Sequence, residues 1–330
     1  MTVQDWLLEG DPAIRAQVLR DLSDAPTCEV AAERERIATE GWGARLLAEQ
    51  ADDGLWDGGV YRPGWVDEER PFFDAWTATH FSLSLLKELD ADPASVPVQQ
   101  AVGRVRRLVR WDKGDAPYYE GETEPCVNGA VLGNAVWAGE SGARVAERLL
   151  EHRLADGGWN CWDRWGAATF SFHSTLAAVE GLLAWERAGG NGEEIRAARL
   201  AGEELLLERS LLRRRSAGTV VDPRFTMTSF PTWWYYDVLR ALEHMRLARP
   251  EGDARCSEAI ELTRGKRGDD GRWRLEQVHM GPTLFEMAGE DEGLPSRWIT
   301  LRALRVLRWW DGQTARSSQE TAPESRPSTP

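Results

Sequence analysis

A seven-residue pattern recurs three times in this chain, and it constrains the fold more than any other feature. Gln50-Ala51-Asp52-Asp53-Gly54-Leu55-Trp56 reads Q-x-x-x-G-x-W, and Arg153 to Trp159 and Arg267 to Trp273 repeat it with arginine first. The tryptophans lie 103 and 114 residues apart (159 − 56 and 273 − 159), each gap about two helical hairpins long. A glycine before an aromatic residue permits a tight turn that other residues resist. Repetition at a fixed long period implies stacked supersecondary units rather than one irregular globule. Weaker turns fall between the copies, at Asp112-Lys113-Gly114-Asp115 and from Gly218 to Arg224.

Between these turns the apolar residues recur at helical spacing, and no strand alternation of any length is present. One set of helices is expected after the turns, over 12–22, 74–89, 126–139, 171–187, 232–247 and 297–310. A second set is expected to lead into them, over 31–50, 95–110, 141–154, 193–213 and 254–266. The first set is rich in Ala, Leu and Trp on more than one face, whereas the second carries more charge. That asymmetry predicts doubly buried inner helices and amphipathic outer ones. The expected fold is all-α, an (α/α)6 toroid over residues 1–311, followed by a disordered polar tail over 312–330.

The repeats, each ending an outer helix before an inner one, resemble those of the squalene cyclase and terpene cyclase superfamily. The resemblance implies an α/α toroid around a central cavity. It also implies that the QW repeats stabilise the ring and take no part in catalysis. Seventeen tryptophans in 330 residues suit such a chain, since many large rings need an unusual core or an aromatic-lined cavity.

Other bulk properties exclude partners. A formal net charge of −14 is the wrong sign for neutralising phosphates, so no nucleic acid is expected. No run of ~18 apolar residues is present and no transmembrane segment is expected. The first residues, MTVQDWLLEGD, carry neither a basic nor an apolar leader region, and the expected location is cytoplasmic. The four cysteines, Cys28, Cys126, Cys161 and Cys256, are widely spaced and read as free thiols in a reducing compartment.

In a helical toroid the starts of the inner helices open on one rim of the cavity, and polar residues there are candidates for chemistry. Glu124 and Cys126 open one expected inner helix, and Phe172-His173 opens the next. Asp163 lies ten residues before His173, with Cys161 two residues before it. A thiolate, an imidazole and a carboxylate suit a zinc ion with one open position. The expected ligands are Cys126, His173 and Asp163, completed by Glu124 or Cys161. This stretch resembles the zinc site of the β-subunit of protein farnesyl- and geranylgeranyltransferases. There an Asp-x-Cys opens one inner helix and an aromatic-His pair opens the next. Under that resemblance Cys126, His173 and Asp163 match ligand positions or their neighbour, and Glu124 stands where the family has aspartate. The family also places Arg and Lys before this motif to hold a diphosphate. Here residues 116–123 are acidic instead, which repels one.

Two further readings stand beside the zinc enzyme. A class II terpene cyclase protonates an alkene with a D-x-D-D motif, which this chain lacks. Asp74, with His80 behind it, is the nearest candidate acid. A toroid that binds without catalysis is the other. In each reading a hydrophobic small molecule occupies a cavity walled by Trp76, Phe172, Trp233, Trp234, Tyr235 and Trp298. Arg297 is expected at the rim, facing an anionic group or paired with Glu286 or Glu292. Nothing in the chain points to a protein partner.

Overall fold

The computed structural model describes residues 1–66, 75–190 and 192–320, with side chains through 312. Asp74, a candidate acid, lies outside the described residues. Within them the regular elements are helices, and the fold is all-α. The helices are α1 (Val3–Leu8), α2 (Pro12–Asp21), α3 (Thr27–Arg36), α4 (Gly41–Ala48), α5 (Thr79–Glu88), α6 (Val96–Leu108) and α7 (Pro125–Ala138). They continue with α8 (Ala143–Glu151), α9 (Phe172–Arg187), α10 (Glu193–Leu207), α11 (Val238–Ala248), α12 (Ser257–Gly265) and α13 (Arg297–Glu320). Among the described residues, β-pairing is limited to isolated bridges at turns. No helix among them is long and apolar enough to cross a membrane.

Several boundaries differ from the sequence expectation, each for a local reason. The helix expected over 31–50 is two, α3 and α4. Gly41 takes a left-handed conformation between them, and the Asp11 carboxylate accepts the Trp42 amide at 2.8 Å. A side chain at Gly41 would collide with that carboxylate, so the break is built in. Residues 232–237 are not helical. Trp233 has φ +51°, and α11 begins only at its Asp237 cap, whose carboxylate accepts the Arg240 amide at 2.7 Å. Helix α13 continues to Glu320, into the segment expected to be a polar tail.

The helices differ in burial as their sequences suggest. Helix α7 buries residues all round its axis, whereas α8 buries only Val145, Ala146 and Leu149 on one face. Helix α7 lies between α5 and α9, α11 contacts α9 and α13, and α13 contacts α2. Helices α8, α10 and α12 lie against α7, α9 and α11 respectively. The α7–α9 contact is backbone to backbone. A Cβ at Gly129 would stand 2.2 Å from the Ala177 carbonyl, and one at Gly181 would stand 2.3 Å from the Gly129 carbonyl.

The repeated turn is one device used three times. Trp56, Trp159 and Trp273 are fully buried. Each indole N–H donates to a carbonyl ten residues earlier, at Leu46 (2.7 Å), Leu149 (2.6 Å) and Thr263 (2.7 Å). This supplies a close donor to a carbonyl in the last turn of the preceding helix, where the Leu46 and Thr263 carbonyls otherwise accept only a longer 3.3 Å backbone bond. Each tryptophan amide donates to a threonine hydroxyl near the start of the following helix: Thr79 (3.1 Å), Thr175 (3.0 Å) and Thr300 (3.0 Å). The first residue of the motif spans the turn. Gln50, Arg153 and Arg267 each donate a side-chain N–H to the glycine carbonyl four residues on, at 3.0, 3.3 and 3.4 Å. Arginine therefore substitutes for glutamine, because both present an N–H at that reach.

Candidate functional site in the central cavity

A cavity of about 460 Å³ is lined by residues of α5, α7, α9, α11 and α13, within the range of small-molecule sites. Its wall changes character along the helices. Tyr61, His80, Phe81, Trp233 and Trp234 line it together with Cys126, at the helix starts. Small residues, Gly129, Ala130 and Gly133 on α7 and Ala177, Gly181 and Ala184 on α9, make room in the middle. Charged side chains, from Lys87 and Glu88 on α5 to Arg302 and Arg305 on α13, form the rest of the wall, its floor.

At the first end Glu124, Cys126 and Cys161 converge, one ligand atom from each lying within 4.8 Å of the others. Cys126 sits in the first turn of α7. Cys161 is carried on the loop after Trp159, where its amide donates to Ser174 Oγ at 3.1 Å. The expectation of free thiols is corrected for this pair: Cys126 and Cys161 form a disulfide, with Cα atoms 6.3 Å apart. Wide sequence spacing hid it, because neighbouring helices bring the two residues together. Cys28 and Cys256 are free. Burial raises the Glu124 carboxyl above its ordinary range, and the neighbouring Glu122 adds to the effect.

Two expected zinc ligands lie elsewhere. His173 Nδ1 accepts the Tyr236 amide at 2.8 Å, so the neutral ring carries its proton on Nε2. Its ring packs edge-on against Phe225, Trp234 and Tyr235, and burial, with Arg240 nearby, lowers its pKa to about 4. Asp163 instead bonds His152 Nδ1 at 2.7 Å. A metal at this end would therefore rest on Glu124, Cys126 and Cys161, three donors with a fourth position open. That set fits zinc when the sulfurs are reduced; bonded to each other, they offer no thiolate.

The remaining candidates divide between the cavity and its surroundings. His80 is buried, pairs with the Tyr118 hydroxyl at 3.2 Å and has its pKa lowered to about 3 by burial, so it is a neutral wall residue. Trp233 and Trp234 reach the cavity. Trp76 stacks on Trp233 with centroids 5.6 Å apart and donates its indole N–H to the Met280 carbonyl at 2.8 Å, placing it behind the wall. Tyr235 stacks on His279 at 3.9 Å, and Phe172 packs on Phe225 and Tyr236. Trp298 is buried against Phe230, centroids 4.3 Å apart. Arg297 faces away from the cavity: its Nε donates to the Trp6 carbonyl at 2.9 Å and its guanidinium lies over the Trp6 ring.

The cavity floor is what sequence reasoning missed. Arg240 makes a two-point pair with Glu180, its Nη2 donating at 2.6 Å. Glu243 accepts from Arg302 Nε at 3.0 Å and pairs with Arg305 through both of its oxygens. Burial pushes Glu243 upward, yet Arg305 and Arg302 outweigh it and hold the carboxyl down at about 2. Lys87 and Glu88, at the end of α5, complete the set. The available signal was charge at inner-helix spacing: positions 240, 243, 244 and 247 fall on one face of α11, and 302 and 305 on one face of α13.

Comparison with known proteins adds no family. No family model matches the chain, and no curated protein matches it. A protein from Actinoplanes of known crystal structure is similar over 91% of this chain and 90% of its own, at 21% identity and a TM-score of 0.43. A likeness that loose carries no argument about fold or function.

Proposed function

We propose that the helices close into an α/α toroid of the terpenoid cyclase and prenyltransferase β-subunit type. In this reading α2, α5, α7, α9, α11 and α13 form the inner ring. The run of contacts from α5 through α7, α9, α11 and α13 to α2, the Gln17 side-chain bond from α2 to the Glu88 carbonyl of α5, and the three matching tryptophan turns support it. The protein is then an enzyme acting on a hydrophobic, isoprenoid-like small molecule held in the central cavity. The observation that carries the reading is the meeting of Glu124 and Cys161 with Cys126, which itself lines the aromatic end of that cavity.

In a reducing cytoplasm the two sulfurs are thiols, and with Glu124 they hold zinc. Zinc bound there lowers the pKa of a coordinated thiol, water or hydroxyl and so supplies a nucleophile near pH 7. The protein's own contribution is to seat the apolar body of the substrate against Phe81, Trp233 and Trp234 and to keep water from the reacting end. The acidic stretch before Glu124 makes a diphosphate a poor ligand at this end. A toroid that binds without catalysis is the second reading, and the bonded state of Cys126 and Cys161 favours it.

Metal content separates the two. Protein purified under reducing conditions is expected to hold about one zinc per chain by plasma mass spectrometry. Cys126→Ser and Cys161→Ser should lose it, while His173→Ala should keep it. No zinc in the reduced native protein after reconstitution leaves the binding toroid.

A further inference from the structure

The floor of the cavity carries an ammonium with nothing to bind. Five cationic side chains line the cavity (Lys87, Arg187, Arg240, Arg302, Arg305) against three carboxylates (Glu88, Glu180, Glu243). The arginines are engaged: Arg240 by Glu180, Arg302 and Arg305 by Glu243, and Arg187 by the Leu247 carbonyl. Among the described residues, Lys87 Nζ has neither a hydrogen bond nor an ion pair, and the Glu88 carboxylate has none either. The Lys87 amine rests over Gly133 of α7, where an added Cβ would stand 2.8 Å from Nζ. Burial lowers its pKa, partly offset by Glu180. A partly buried ammonium with no direct hydrogen bond or ion pair is costly, and folded chains keep one where a ligand completes it.

Helix α7 fixes the distance from this amine to the sulfurs. Gly133 lies seven residues after Cys126 on the same cavity-lining face, and at 1.5 Å per residue the two are about 10 Å apart along the axis. The small side chains of Gly129 and Ala130 leave the path between them open.

We infer that Lys87 anchors the carboxylate of an amphipathic ligand whose apolar chain runs along α7 and ends at Cys126 and Cys161. This deepens the cavity-binding reading above and rests on it. A single carboxylate matches the one cation of the cavity that no hydrogen bond or ion pair engages among the described residues.

Geranate and geraniol, ten-carbon isoprenoids alike except for the carboxylate, test it by calorimetry at pH 7.5. The native protein should bind geranate at least ten-fold more tightly than geraniol. Lys87→Met should reduce geranate to the geraniol level and leave geraniol unchanged. Lys87→Arg should keep the preference. Gly133→Ala, which displaces the amine without removing its charge, should weaken geranate alone. The Lys87→Met protein should melt no lower than the native one, since the ammonium has no partner to lose. Equal binding of the two ligands to the native protein, or a preference that survives Lys87→Met, overturns the role of Lys87 and leaves the cavity reading standing. Binding of neither ligand overturns both.

Discussion

The amide of Trp159 donates to the Thr175 hydroxyl at 3.0 Å, and that hydroxyl donates back to the Trp159 carbonyl at 3.1 Å. Both residues are fully buried, so the clasp ties a turn to the helix it feeds. The same amide-to-hydroxyl bond joins Trp56 to Thr79 and Trp273 to Thr300. Thr175→Val keeps the shape and orphans a buried amide, which costs about 1–3 kcal/mol. The carbonyl is spared, because the Ser171 amide also donates to it at 2.8 Å. The denaturant midpoint should fall with an unchanged slope, and Thr175→Ser should recover most of the loss. A midpoint for Thr175→Val equal to native would show that the clasp stabilises nothing.

Glu243 holds two arginines at once, and removing its charge leaves Arg302 without its ion-pair partner and Arg305 with only Asp21, at 3.4 Å. Glu243→Gln should destabilise the protein by about 3–5 kcal/mol, the usual cost of breaking a buried pair from one side. Arg302 would keep its bond to the Ser229 carbonyl and Arg305 its bond to Gln17, which limits the loss. Because the Glu243 pKa is depressed from 4.5 to about 2, its contribution is present above pH 4.5 and is lost as pH falls through about 2. Chemical denaturation between pH 2 and 6 should show this acid limb in the native protein and a weaker one in Glu243→Gln.

How much of this was legible follows residue by residue. The tryptophan turns were, because glycine at a left-handed position and a ring behind it leave a fixed signature: Gly54, Gly157 and Gly271 have φ of +86°, +100° and +80°. Their threonine partners were not, since they lie 16 to 27 residues on at unequal spacing. Glu124 and Cys126 were legible as a pair at a helix start. The sequence pointed to His173 and Asp163 beside Cys126, with Glu124 or Cys161 to complete the set; the fold brings Glu124 and Cys161 to Cys126 instead, gives Asp163 to His152 and turns His173 to a backbone amide. Trp233 and Trp234 were placed on a helix from their apolar run, but Trp233 is left-handed and Asp237 is the cap. The floor charges were passed over because single charged residues in apolar helices resemble solvated faces until their neighbours are known.

The Cys126–Cys161 bond closes a loop across 35 positions of sequence. In the chain-entropy account a loop of that length stabilises the folded state by about 4 kcal/mol. Adding a phosphine reductant to the oxidised native protein should lower its denaturation midpoint and should leave the Cys126→Ser/Cys161→Ser double variant where it was. Zinc added to the reduced native protein should then recover part of the loss, by mass action on the folded state, with no effect on the double variant. A midpoint indifferent to the reductant would mean that the sulfurs are not bonded in solution.

Glu290 sets the behaviour toward alkali. Its carboxylate accepts from the Trp298 amide at 3.0 Å and from the Ser296 hydroxyl, at the start of α13. Burial nevertheless dominates and raises its pKa from 4.5 to about 7. A raised folded value means that the unfolded chain gives up this proton first as pH rises. The stabilising contribution is full below about pH 4.5 and is lost through about pH 7, worth up to about 3 kcal/mol. Stability should therefore decline from pH 5 to 8 through this group alone, opposite in sign to the Glu243 limb. Glu290→Gln, which cannot ionise and keeps an acceptor for the Trp298 amide, should flatten that decline. Parallel denaturation curves for the native protein and the variant across pH 5 to 8 decide it: equal slopes against pH would place the Glu290 proton loss at the same pH in the folded and unfolded chains.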